Sequence, residues 1–242
     1  MGKVILSASG KGGVGKSVFI ANMGAVLAER GLKIVMVDMN IGLRNLDLYA
    51  GVEGKVVYDV ADVLSGACPL KKALVRDRRF PYLYVVPASS AREKFTAGPA
   101  DVAALYADLR ERYDFMLVDG PAGLGAELAL AASGVDFAVI VTTLEYVSLR
   151  DADMTDRVLA KAGVVRRAYL INKVKKELMG SGLLPTLEDL SSVMRPPLLG
   201  IVQYDDNIHL AANGGVPIVA QKGSYIERNL GRIADRLLAM QG

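Results

Sequence analysis

The amino-acid sequence predicts an α/β fold, a single doubly wound domain with a mainly parallel sheet and helices on both faces. Strand and helix patterns alternate along all 242 residues, which is typical of right-handed βαβ units around one sheet. Apolar residues make up 52% of the chain and lie in short runs such as 137–141. Such runs suit strands buried on both faces of a parallel sheet. The sequence contains no evident linker or repeat, so we expect residues 1–242 to form one domain.

Seven strands and seven helices are predicted in order along the chain. The strands are 3–8, 33–37, 82–86, 115–118, 137–141, 167–171 and 198–202. The helices are 17–30, 99–112, 124–132, 149–162, 186–194, 205–212 and 225–240. Pro99 occupies a first helical position, where proline is favoured. Capping boxes are predicted at two helix starts, Ser148 with Asp151 and Ser224 with Glu227. The stretch 175–185 is the best candidate for a mobile surface loop.

Composition argues against several other classes of protein. Cys68 is the only cysteine, so neither a disulfide framework nor a cysteine metal site can form within one chain, and a reducing cytosol is expected. The apolar runs are far too short to span a bilayer, and the N-terminal strand leaves no room for a secretory signal. The net charge of +3 neither demands nor excludes nucleic acid or anionic lipid. His209, within an apolar helix turn, is interpreted as structural.

Residues 10–17, GKGGVGKS, match the phosphate-binding loop pattern G-x-x-x-x-G-K-[ST] between a predicted strand and a predicted helix. In that arrangement backbone N–H groups and the helix N-terminus converge on phosphate oxygens. Lys16 then reaches the β- and γ-phosphates, and the Ser17 hydroxyl ligates Mg²⁺. A glycine-rich turn without a ligand would require neither side chain. The loop residues predicted to bind ATP or ADP are Gly12, Gly13, Val14, Gly15, Lys16, Ser17 and Val18.

Two acidic residues stand where predicted strands end. Asp38 and Asp119 each follow four apolar residues, which is the Walker B pattern, where a carboxylate holds a metal directly or through water. Ligands of doubly wound sheets bind outside the carboxyl ends of the strands. Acidic residues also commonly begin loops, but two of them beside a phosphate loop favour a functional interpretation. The predicted Mg²⁺ ligands are Ser17, Asp38 and Asp119.

A second lysine, Lys11, makes the loop resemble K-G-G-x-G-K-[ST], the deviant Walker A signature of the ParA/MinD family of dimerising ATPases. In that family this lysine reaches the nucleotide bound by the partner subunit. Lys11 has no evident role within its own protomer, so we expect it to act across an interface; a solvated loop lysine is the alternative. Residues 41–48 and 56–59 are similar to the MinD branch, the bacterial division-site ATPases. The similarity runs from the phosphate loop to near the C-terminus and implies the P-loop NTPase type of fold.

The resemblance implies roles for residues that the motifs alone do not assign. It places switch I at 38–42, switch II at 119–123 and a dimer-facing segment at 145–151. It also implies further nucleotide-binding residues, namely Glu145, the adenine-binding Asn172 with Lys173, and a second adenine-side loop of Gln203, Tyr204 and Asp205. Asn172 alone also fits a strand-end turn.

Three departures from the family pattern affect what we expect. Asn40 stands where the family usually has an aspartate that is thought to orient the attacking water. Asparagine keeps the carbonyl acceptor but loses the charge, so hydrolysis is expected to slow without vanishing. Gln203 replaces the proline that the family usually has in the second adenine-side loop. The chain stops at residue 242, before the family's basic amphipathic extension, and we expect helix 225–240 to dock on the sheet.

The resemblance therefore implies an ATP-dependent dimerisation switch with weak ATPase activity that regulates placement of the bacterial division site. Its predicted catalytic residues are Lys11, Lys16, Asn40 and Asp119. The expected partners are a second copy of the chain and division-regulator proteins, in the cytoplasm or at the inner face of the cell membrane. A partition ATPase that binds DNA is one alternative, although the small cluster of Lys173, Lys175 and Lys176 supports it weakly. An ATP-binding scaffold that does not hydrolyse ATP is another.

Overall fold

One eight-stranded sheet organises the chain in the computed structural model, which describes residues 1–91, 95–178, 182 and 184–241. The predicted surface loop 175–185 lies partly outside these residues. The strands are β1 (Lys3–Ser9), β2 (Ile34–Asp38), β3 (Val75–Arg76), β4 (Leu83–Val86), β5 (Phe115–Ala122), β6 (Phe137–Thr143), β7 (Arg166–Val174) and β8 (Leu198–Gln203).

The sheet has the strand order β3-β4-β2-β5-β1-β6-β7-β8. The short strand β3 runs antiparallel to β4, and the other pairings among the described strands are parallel. The chain therefore winds outward from β1 in both directions, which confirms the predicted doubly wound fold. The carboxyl end of β1 lies at the centre of the sheet, between β5 and β6, where such folds bind their ligands.

Helices cover both faces of this sheet. They are α1 (Lys16–Glu29), α2 (Leu46–Tyr49), α3 (Val60–Leu64), α4 (Leu70–Ala73), α5 (Pro99–Arg110), α6 (Ala126–Ala131), α7 (Tyr146–Lys161), α8 (Leu187–Val193), α9 (Asp206–Asn213) and α10 (Tyr225–Ala239). In β2, Ile34 and Met36 pack into an apolar cluster with α1 and α10. Val35 and Val37 point the other way, into a cluster with α5, α6 and α7.

Some local predictions were wrong. The elements β3, α2, α3 and α4 were not predicted, because two to five residues are too few to show a period. The capping box at Ser148 was also wrong, because α7 begins at Tyr146 and Glu145 is its N-cap residue. Tyr146 and Val147 are exposed, so the apolar pattern of α7 starts later than the helix itself. Ser224, by contrast, is confirmed as a cap, since its hydroxyl accepts the Glu227 N–H at 3.0 Å.

The last helix docks on the body of the protein, as predicted. Ile226, Leu230, Ile233 and Leu237 form its buried stripe. A side chain at Gly200 in β8 would place its Cβ 2.6 Å from Ile233, so the helix lies directly against the sheet. Among the described residues, no helix is long and apolar enough to cross a membrane.

We expect Ile233→Ala to lower the free energy of unfolding by about 2–5 kcal/mol, because it removes a buried side chain and leaves a cavity. Arg232→Ala, one residue earlier on the exposed face of α10, is the matched control and should change stability by under about 0.5 kcal/mol. The urea concentration at the midpoint of unfolding measures the stability change of each variant, provided that the dependence of the free energy of unfolding on urea concentration stays the same. Equal small effects of the two substitutions would mean that α10 does not dock in solution.

Candidate nucleotide-binding site

The phosphate-binding loop connects β1 to α1 in a conformation that only glycine adopts readily. Gly13 and Gly15 have φ values of +77° and +100°, in the left-handed region. A Cβ on Gly15 would lie 2.3 Å from Nδ2 of Asn172. That amide nitrogen donates to the Val14 carbonyl at 2.8 Å, and Lys173 Nζ donates to the Gly13 carbonyl at 2.7 Å. The end of β7 therefore holds the loop in place.

Lys16 is buried at the start of α1. Its Nζ donates to the hydroxyl of Ser9 at 2.8 Å, and that hydroxyl donates to the Lys11 carbonyl at 2.7 Å. Burial lowers the pKa of Lys16, while the carboxylates of Asp119 and Asp38 act in the opposite direction. The ammonium is thus desolvated before a ligand arrives, which strengthens its attraction for phosphate oxygens.

Asp119, in the carboxyl half of β5, meets Ser17 of α1. The Ser17 hydroxyl donates to one carboxylate oxygen of Asp119, and the Ser7 hydroxyl donates to the other at 3.2 Å. Burial raises the pKa of Asp119, and the hydrogen bond from Ser17 partly counteracts this. Hydroxyl and carboxylate oxygens are ligands that Mg²⁺ prefers, so this donor pair fits the predicted metal.

Asp38 holds the segment that follows β2. One of its carboxylate oxygens accepts the Asn40 N–H at 2.9 Å, and the other accepts the N–H groups of Asn45 and Leu46 at 3.3 and 3.1 Å. Burial, with a further contribution from Asp119, raises the pKa of Asp38 to about 7. Both carboxylate oxygens of Asp38 already accept backbone hydrogen bonds. Contact with Mg²⁺ through a water molecule therefore fits Asp38 better than direct ligation.

Lys11 has a partner within its own chain, so the expectation that it has no role there was wrong. Its Nζ lies 3.1 Å from Oε2 of Glu145, the N-cap residue of α7. The hydroxyl of Ser148 donates to the same oxygen at 3.1 Å, and Thr143 donates to Ser148 at 2.8 Å. The hydrogen bonds from Lys11 and Ser148 lower the pKa of Glu145. This ion pair ties the phosphate loop to α7 and lies outside the cleft described next.

A cleft of about 300 Å³ extends from the phosphate loop to α9. It brings together predicted residues from four parts of the chain, namely Gly12, Gly13, Gly15, Lys16, Ser17, Val18, Asn40, Asn172, Lys173, Gln203, Tyr204 and Asp205. Asp205 also caps α9, because its carboxylate accepts the Asn207 N–H at 2.8 Å. Asn40 lies where this cleft meets an apolar cavity of about 930 Å³, and Leu43 and Ala122 line both spaces.

Several residues of the cleft escaped the sequence analysis, including Tyr49, Asn45 and His209. The interpretation of His209 as structural was wrong, because α9 lies at the surface and His209 is exposed towards the cleft. The apolar neighbour Leu210 that suggested a core position is itself 68% exposed. The signal that would have identified His209 is its spacing of four residues from Asp205 in the sequence, because residues four apart lie on one face of a helix.

The chain was compared with known proteins. The family model of the CobQ/CobB/MinD/ParA nucleotide binding domain matches residues 5–218. The septum site-determining protein MinD of Bacillus subtilis is 37% identical over 237 residues, which is 96% of this chain and 88% of that protein. The chain belongs to the MinD family. Members of the MinD family are P-loop ATPases, and this chain carries the nucleotide-binding domain of that family.

Two solved MinD structures agree with this assignment. One is MinD of Pyrococcus horikoshii complexed with Mg-ADP, with a TM-score of 0.89, 30% identity, and coverage of 100% of this chain and 98% of that one. The other is the MinC:MinD cell division protein complex of Aquifex aeolicus, with a TM-score of 0.91, 34% identity, and coverage of 98% and 96%. The MinD fold thus accounts for almost the whole of this chain.

Proposed function

We propose that this protein is an ATP-dependent dimerisation switch that hydrolyses ATP slowly and regulates where the bacterial division site forms. One observation carries the proposal. Lys16 is buried near the carboxylate of Asp119, which accepts the Ser17 hydroxyl, while a second lysine, Lys11, is partly exposed outside the cleft. The names of the relatives, septum site-determining proteins, support the biological role.

The residues of the loop perform the binding chemistry. Backbone N–H groups of residues 12–17 donate to phosphate oxygens, and the Lys16 ammonium offsets charge on the transferring phosphoryl group. Ser17 and Asp119 would hold Mg²⁺, which would neutralise further negative charge on the phosphates. Asp38 acts one step away, because it accepts backbone hydrogen bonds from Asn40 in switch I and from Asn45 and Leu46 just after it. Asp38 and Asp119 are register partners on the neighbouring strands β2 and β5. A change of charge at Asp119 therefore alters the electrostatic environment of Asp38, which holds switch I.

Lys11 is the residue that reaches the second protomer. Its present partner Glu145 does not prevent this, because exposed ion pairs contribute about 0–1 kcal/mol. A hydrogen bond from an ammonium to a phosphate in a closed interface is worth about 1.5–3 kcal/mol. When both protomers hold ATP, Lys11 therefore breaks its ion pair with Glu145 and binds the phosphates of the nucleotide in the partner subunit. Hydrolysis removes the γ-phosphate, and the dimer separates.

Partners and location follow from the same proposal. MinD of Aquifex aeolicus forms a complex with MinC, and we infer that the ATP dimer of this chain likewise presents a surface to a division-regulator protein. The switch acts in the cytoplasm or at the inner face of the membrane. Of the lysines that suggested DNA binding, Lys173 is bonded to the loop and Lys175 lies 5.4 Å over the ring of Tyr204. Lys173 and Lys175 therefore already have contacts within this chain, and their cluster remains weak support for nucleic-acid binding.

Size-exclusion chromatography with light scattering tests the proposal directly. We expect a monomer with Mg-ADP and twice that mass with Mg-ATP. Lys16→Ala should remain monomeric in both, because it loses the contact to the β- and γ-phosphates. The same mass for the unsubstituted chain in ADP and ATP, with nucleotide shown to be bound, would contradict the dimerisation switch. Measurable release of phosphate distinguishes it from a scaffold that does not hydrolyse ATP.

A further inference from the structure

One face of α9 lines the cleft that also contains the phosphate loop. Its lining residues Asp205, Ile208, His209 and Ala212 follow the spacing i, i+3, i+4 and i+7, which places them on a single helical stripe. A nucleotide whose phosphates lie on residues 12–17 therefore directs its base towards this stripe. His209 is the aromatic side chain on it.

The His209 ring is part of a fixed aromatic arrangement. Its centroid lies 5.6 Å from that of Tyr204, with the ring planes tilted by 48°. Tyr204 is held from two other sides, because its hydroxyl donates to Asp206 at 2.8 Å and Lys175 Nζ lies 5.4 Å over its ring. An exposed imidazole beside a restrained tyrosine offers a preformed surface for a flat, uncharged ring system.

We propose that His209, beside Tyr204, stacks against the base of the bound nucleotide. Purines have the larger π-surface and gain more from stacking on an aromatic side chain. This inference rests on the proposed nucleotide-binding function and adds a base-contacting residue to it. His209 is a positioning residue and takes no part in phosphoryl transfer.

The chain contains a single histidine, which makes its ring a unique probe in NMR. We expect the carbon-bound ring resonances of His209 to move when Mg-ADP is added, to move less with Mg-CDP, and to stay in place with pyrophosphate. ADP is chosen because it keeps the protein monomeric, so that dimer formation does not contribute to the shift. An unmoved ring signal, in a sample where calorimetry shows ADP bound, would overturn the stacking role and leave the proposed function intact.

Substitutions provide the second arm of the test. Base stacking on an aromatic side chain typically changes affinity by roughly 5–150-fold. His209→Ala should therefore raise the Kd for ADP by about tenfold and leave the Kd for pyrophosphate unchanged. His209→Phe should restore ADP affinity, and Leu210→Ala, an exposed neighbour outside the cleft lining, should match the unsubstituted chain.

Equal ADP affinities for His209→Ala and the unsubstituted chain would contradict the inference. A loss of ADP and pyrophosphate affinity together would also contradict it, since that would place His209 at the phosphates. Failure of the unsubstituted chain to bind either ligand would instead overturn the proposed function itself.

Discussion

Lys11→Ala should leave the protein monomeric in Mg-ATP while it still binds the nucleotide. The residue pairs with Glu145 on the outside of the cleft, and the phosphates within each protomer already have Lys16 and the loop N–H groups. Loss of a desolvated charge pair at an interface costs about 2–5 kcal/mol. Two equivalent pairs would be lost in a symmetric dimer, so its affinity should fall at least a thousandfold.

Light scattering measures the dimer of the Lys11→Ala protein, and calorimetry with ADP measures the nucleotide affinity that should persist. Lys161→Ala is the matched control, because it removes an exposed lysine from the last turn of α7, at the other end of the helix that begins beside Lys11. Normal ATP-dependent dimerisation of Lys11→Ala would show that the lysine acts only within its own chain.

Asn40→Asp should accelerate ATP hydrolysis by up to about 10²–10⁴-fold, the usual range for general-base and positioning effects. Asn40 lies in the lining of the nucleotide cleft, and its backbone N–H is fixed by Asp38. A carboxylate at this place keeps the acceptor and adds the charge and basicity that orient water. The unsubstituted chain should correspondingly retain unhydrolysed ATP long enough for it to be detected in the purified complex.

Steady-state phosphate release, with any activating partner present, measures this effect. Asn45→Asp introduces the same charge at a neighbouring point of the cleft and should give no comparable acceleration. If Asn40→Asp turns over ATP at the unsubstituted rate, position 40 does not orient the water. An equal acceleration by both substitutions would assign the effect to added charge alone.

Much of the site could be predicted because its determinants are local in sequence. The phosphate loop needs glycines where φ is positive, as at Gly13 and Gly15, and a lysine and a hydroxyl at the start of the following helix. Asp119 could be identified because an apolar run predicts a buried strand and the next residue is then at its carboxyl end. The long helices, including α10, could be predicted from the helical period of their apolar residues. The helices α2, α3 and α4 have only four or five residues, which is too few to show such a period.

The sequence by itself determined the type of fold, the phosphate loop and the acids at the strand ends, because each depends on neighbouring residues or on a periodic pattern. Only the tertiary structure decided how distant parts meet. Lys11 forms an ion pair with Glu145, 134 positions away, and the Asn172 side chain donates a hydrogen bond to Val14, 158 positions away. His209 lines the cleft from α9 at the surface of the protein. Such contacts depend on strand order and on the directions in which side chains leave separate elements, and no local pattern encodes either.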